Sequence, residues 1–155
     1  MTAPKFFILV LLVIAVGLAQ SAGFLNILNV KPNALLALLI AASFFVENAG
    51  LYLFLVLLAD AFLKSHTVLE PELLIFSGLA VAGYWLGRHL RWWPVLNNLI
   101  LVAASTVLFY LIAGPGFILA SWNIVLGEVI YNMVLGAILF KIFNECLKTN
   151  SMLKT

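Results

Sequence analysis

The chain has 155 residues, of which 65% are hydrophobic and 9% charged, with a mean hydropathy of +1.19. A soluble domain carries about 25% charged residues, so this chain has too little polar surface to coat a water-soluble globule and reads as an all-α integral membrane protein. The net charge of +2 is dispersed, which gives nucleic acid no basic patch to bind. The single Cys146 excludes an internal disulfide and a cysteine-based metal cluster, and His66 and His89 are too far apart in sequence to suggest a metal site. Neither a metal nor a cofactor is expected.

Six apolar segments follow along the chain, all within one membrane domain over residues 1–155: 6–25, 32–46, 51–63, 73–90, 94–112 and 122–143. Crossing a bilayer takes about 20 residues, with a range of ~17–25. The first, fourth, fifth and sixth segments have that length. Lys5, an apolar core and Ala19-Gln20-Ser21-Ala22 have the form of a secretory signal, yet apolar sequence resumes at Gly23-Phe24-Leu25, so the segment reads as a retained first span. The second begins at Pro32, a residue suited to a first helical turn. The second and third are short, which calls for shielding by neighbours, a thinned bilayer or a re-entrant pair. Glu47-Asn48-Ala49-Gly50, residues 64–72 and Gly114-Pro115-Gly116 mark connections. Trp92, Trp93 and Trp122 lie at positions suited to the interfacial aromatic belt.

Lys and Arg set the orientation, because cytoplasmic loops collect them. With the N-terminus inside, Lys5, Arg88, Arg91, Lys141, Lys148 and Lys154 are inside and Lys31 and Lys64 outside. Both termini are then cytoplasmic. The residues beyond 143, with Glu145, Lys148 and Lys154, read as a short mixed-charge tail.

This topology gives the polar residues a depth. Glu128 lies about 9 Å below Trp122 at 1.5 Å per helical residue. Gln20, Asn33, Asp60 and Glu128 all fall in the outer half of the membrane, and Asn132, one turn after Glu128, lies nearer the middle. A charge deep in a bilayer costs roughly 2.5–3.5 kcal/mol on insertion scales, so such a residue faces the protein interior and finds a partner. The cluster is read either as an outward-facing pocket or as a hydrogen-bond network that braces helices. For Asp60 a local pair with Lys64, four residues on, is a further reading. Ala15, Ala19 and Gly23 form a small-residue stripe that suits close packing of a neighbouring helix or docking against another membrane protein. Arg88, His89, Arg91, Trp92 and Trp93 form an inner loop read as a topology determinant and aromatic anchor, or as a docking point for a partner or anionic lipid. Catalysis is poorly supplied: neither His lies in a span, and no His-Glu-x-x-His or comparable nucleophile motif is present.

Several of these residues together resemble the MreD family, small integral membrane proteins of the bacterial rod-shape system. Gln20 ends the first span, Lys31-Pro32-Asn33-Ala34-Leu35-Leu36 opens the second, and Asp60 closes the third, which begins at Gly50. Gly83-Tyr84-Trp85-Leu86-Gly87 precedes the basic loop, and Glu128-Val129-Ile130-Tyr131-Asn132 is similar to the family's last span. The chain departs from the family in Leu55-Val56-Leu57-Leu58-Ala59-Asp60, which lacks the glycines usual before that aspartate. The resemblance implies a six-helix bundle similar to the substrate-binding components of energy-coupling-factor vitamin transporters. It further implies a non-enzymatic scaffold role in side-wall peptidoglycan synthesis, with MreC, MreB, RodA and its penicillin-binding protein as partners, in the bacterial inner membrane. By the same resemblance, Gln20, Asn33, Asp60, Glu128 and Asn132 line or brace the outward pocket. A vitamin-transporter component of the same fold is the alternative, although its outer loops would be short and poor in aromatic residues for capping a ligand.

Overall fold

The computed structural model describes residues 3–26, 30, 32–63, 71–90 and 93–148. Seven helices occur among them: α1 (Ala3–Ser21), α2 (Ala34–Ser43), α3 (Ala49–Leu63), α4 (Pro71–His89), α5 (Pro94–Ala113), α6 (Pro115–Ala120) and α7 (Trp122–Lys148). The six apolar segments correspond to α1–α5 and α7. The connection at Gly114-Pro115-Gly116 holds the additional six-residue helix α6, and Pro115 at its start is compatible with a first turn.

Three helices, α1, α5 and α7, are long and apolar enough to cross a membrane. The fourth segment, expected among them on length, is not. Its 19-residue helix carries Glu72 in its first turn and Arg88 and His89 in its last, and these polar ends dilute the apolar run. The expected tail is also corrected in part. α7 continues through Glu145 to Lys148, because Asn144-Glu145-Cys146-Leu147-Lys148 holds no helix breaker.

The centre of the bundle is α2. Its ten residues are all buried, and α1, α3, α4, α5 and α7 all touch it. At 1.5 Å per residue it is only about 15 Å long. The second segment is thus shielded on every side by neighbours, and its backbone hydrogen bonds are internal, as an apolar interior requires. α7 shows the complementary pattern. Leu126, Ile130, Val134, Ile138 and Ile142 are exposed at a spacing of four, while Glu128, Asn132, Phe140 and Phe143 face inward and are buried. Around the far end of α2, Phe44 and Phe45 meet Phe140, with ring centroids 5.5 and 5.1 Å apart.

The small-residue stripe of α1 is not where the helix packs. Leu9, Val13, Gly17 and Gln20 form the buried face, whereas Ala15 is exposed. A Cβ placed on Gly17 would come within 2.6 Å of Phe62 Cγ, so Gly17 is the position where α3 approaches closely. Gly23 has a different task. Its φ is 75°, its N–H donates to Gln20 O at 3.2 Å, and the Phe24 N–H donates to Ala19 O at 3.1 Å. This is the glycine-terminated helix end that satisfies the last carbonyls, and it stops α1 at Ser21 rather than at residue 25.

Candidate functional site

A cavity of about 320 Å³ lies at the N-terminal end of α2. Its polar lining is Gln20 from α1, Asn33 before α2, Glu72 from α4, Tyr110 from α5 and Glu128 from α7. Leu63, Leu73, Phe76 and Phe109 supply apolar wall. The cavity collects the C-terminal ends of α1, α3 and α5 and the N-terminal ends of α2 and α4, with Glu128 reaching it from the second turn of α7. All of these were assigned to one side of the membrane by the sequence. The short length of α2 makes the space, since its neighbours extend past its first residue.

Three backbone N–H groups at the start of α2 have acceptors. Asn33 is the N-cap, and its Oδ1 accepts from the Leu36 N–H at 3.3 Å. Gln20 Oε1, from α1, accepts from the Leu35 N–H at 3.0 Å. The Glu128 carboxylate accepts from the Asn33 backbone N–H. Because the first turn of a helix carries partial positive charge, a carboxylate placed there is favourably situated even though Glu128 is only 4% exposed.

From Glu128 a polar seam runs down between α5 and α7. Tyr110 Oη donates to Glu128 Oε2. Asn132 Nδ2 donates to Thr106 Oγ1 at 3.1 Å and lies 3.5 Å from Glu128 Oε1. Thr106 Oγ1 donates in turn to Val102 O at 2.9 Å, and Asn98 Nδ2 donates to Gly136 O at 3.0 Å. The partners descend α5 in steps of four (Tyr110, Thr106, Val102, Asn98) as they ascend α7 (Glu128, Asn132, Gly136). This is the register of two antiparallel helices whose facing residues recur each turn. A Cβ on Gly136 would stand 3.1 Å from Val102 Cγ2, so the missing side chain lets the two helices close around these bonds.

The expected polar cluster therefore divides. Gln20, Asn33 and Glu128 line the cavity; Asn132, fully buried, lies below it in the seam. Asp60 stands apart and does not line the cavity. Its Oδ2 accepts from Ser77 Oγ at 2.6 Å, tying α3 to α4, while Lys64 lies outside the described residues. Sequence reasoning missed Tyr110, Thr106, Asn98 and Ser77. The signal for the first three was present, since 98, 106 and 110 are polar positions that recur at helical spacing on one face of α5.

At the opposite end, Arg88 turns back over the loop after α2. Its Nη2 donates to Val46 O at 2.9 Å and to Glu47 O, and its guanidinium lies 4.3 Å from the Tyr84 ring centroid. Tyr84 Oη donates to Glu47 O at 2.8 Å, and its ring stacks on Tyr52 with centroids 4.4 Å apart. A Cβ on Gly83 would stand 3.4 Å from Ile40 Cγ1, and one on Gly87 3.4 Å from Phe44 Cζ and Ser43 Oγ. Arg88 is thus occupied in closing the fold. His89 is exposed, with Nδ1 2.8 Å from Trp85 O, and Trp93, four residues on, is exposed too. Arg91 and Trp92, the other two residues of the expected docking loop, lie outside the described residues, as do Lys31, His66 and Lys154.

Among the described residues no three His, Cys, Asp or Glu side chains gather as metal ligands. No family model matches the chain, and comparison with curated proteins and with solved structures likewise finds no match.

Proposed function

We propose that this chain is a non-enzymatic scaffold of the bacterial rod-shape machinery, of the MreD kind. In this reading it crosses the inner membrane with both termini cytoplasmic. It supports side-wall peptidoglycan synthesis by helix–helix contacts with an MreC-type partner and, through it, with MreB, RodA and the penicillin-binding protein. One observation carries the reading beyond the motif resemblance. Four polar residues of the resembling motifs are engaged in holding helices together. Gln20 ties α1 to α2, Asp60 ties α3 to α4, and Glu128 and Asn132 tie α7 to α5. Residues that tie helices together set the shape of the bundle that a docking protein presents to its partner.

The test is complementation. In cells depleted of the protein, wild-type chain restores rod shape, whereas the double variant Glu128→Leu, Asn132→Leu leaves cells rounded. Full rescue by that variant at normal protein level overturns the proposal that this polar face matters.

The cavity favours a second reading, a substrate-binding component of a vitamin transporter, because its volume falls within the range of small-molecule sites, about 300–1,000 Å³. Neighbouring genes separate the two: a cell-shape cluster supports the scaffold, and transporter or vitamin genes support the component.

A further inference from the structure

We propose that the cavity above α2 binds a small organic cation, an ammonium group joined to an apolar or aromatic body. The proposal concerns the occupant of the cavity and does not depend on which partners the protein docks.

The charge of the wall leads to this chemistry. Glu128 and Glu72 are both lining residues, and among the described lining residues there is no Lys, Arg or His. Glu128 is held by a phenol, a side-chain amide and a backbone N–H. All three are neutral donors. They fix the carboxyl group in place and supply no cationic partner, so an ammonium bound beside it would hold it in its ionised form. Glu72 is exposed at the mouth, where it draws in a cation before the deeper contact forms. The wall beside these acids is aromatic: Phe76, Phe109 and Tyr110. Aromatic faces attract a cation through their quadrupole, most strongly where water is excluded. An anion of the same shape would instead meet Glu128 in a poorly screened setting. The volume of about 320 Å³ admits a single ring or a lipid headgroup and excludes a large cofactor.

The same chemistry could come from a free amine or from the headgroup of an aminophospholipid. Calorimetric titration of the full chain in detergent micelles uses phenethylamine, protonated at neutral pH, against 3-phenylpropionate, of similar shape and opposite charge. The expected result is binding of the amine and none of the acid. Glu128→Gln should weaken the amine by roughly tenfold or more, the scale of a buried charge contact. Glu72→Gln, at an exposed position that leaves folding intact, should weaken it by a smaller factor. Repeating the titration in phosphatidylglycerol nanodiscs, with and without phosphatidylethanolamine, assigns the source. Competition by phosphatidylethanolamine points to a lipid headgroup, and unchanged binding points to a free amine. Equal or tighter binding of the acid, no amine binding in micelles and nanodiscs alike, or full affinity in both variants overturns the proposal. The scaffold reading stands or falls on cell shape, so the two can fail separately.

Discussion

Replacing Tyr110 by Phe and Glu128 by Ala, singly and together, isolates the uppermost bond of the α5–α7 seam. Tyr110→Phe removes one hydroxyl from a half-buried side chain. Interhelical hydrogen bonds in membranes average about 0.6 kcal/mol and reach about 1.7. This one ends on a carboxylate that is 4% exposed at the first turn of α2, so about 1 kcal/mol is expected. Glu128→Ala loses the same bond, weakens the hold on Asn132 and leaves the Tyr110 hydroxyl and the Asn33 N–H without their acceptor, for about 2–3 kcal/mol in all. The cavity left by the shortened side chain is common to the single and double variants and cancels in the cycle. The double variant should therefore cost less than the sum of the singles by about 1 kcal/mol. Unfolding by a denaturing detergent in mixed micelles, followed by helical circular dichroism, measures all four proteins. Additivity within about 0.3 kcal/mol would refute the reasoning, since it would mean the two side chains do not act on each other.

Three further outcomes follow from the packing. Gly17→Ala should destabilise the fold by about 1–3 kcal/mol through overpacking against the base of the Phe62 side chain, while Ala15→Val, on the exposed face, should stay within about 0.5 kcal/mol; thermal melts of the two variants check this. Arg88→Ala should cost about 1 kcal/mol by freeing the Val46 and Glu47 carbonyls, and Arg88→Lys should not restore it because the planar fork is lost, as unfolding midpoints will show. Cys146 is free and exposed, so a membrane-impermeant maleimide should label it only after cells are opened; labelling of intact cells would reverse the proposed orientation.

The apolar segments were legible because crossing length and turn residues are written directly in the sequence. The centrality of α2 was not. Ala-Leu-Leu-Ala-Leu-Leu-Ile-Ala-Ala-Ser is apolar all round, and such a helix suits lipid and protein interior equally. Gln20, Asn33 and Glu128 meet at one end of the bundle, because rise per residue and helix direction alone bring them to a common level. Their partners depend on helix rotation, and each residue turns the helix by about 100°. That is why Ala15 and Ala19 looked like a packing stripe while the buried face ran through Val13, Gly17 and Gln20. Gly23 was read as a small packing residue, yet its left-handed φ closes the helix; the sequence offered both uses. Tyr110 was overlooked because an apolar span accommodates a tyrosine without obvious cost, and only its spacing from Thr106 and Asn98 set it on the polar face.

The scaffold reading is tested most directly by purifying the tagged full chain from native membranes under mild detergent and identifying what accompanies it. The account predicts that an MreC-type membrane protein is retained through purification, and that Glu128→Leu, Asn132→Leu loses it at equal yield of chain. Recovery of the folded chain with no MreC-type protein above the level of an unrelated membrane-protein control would contradict it.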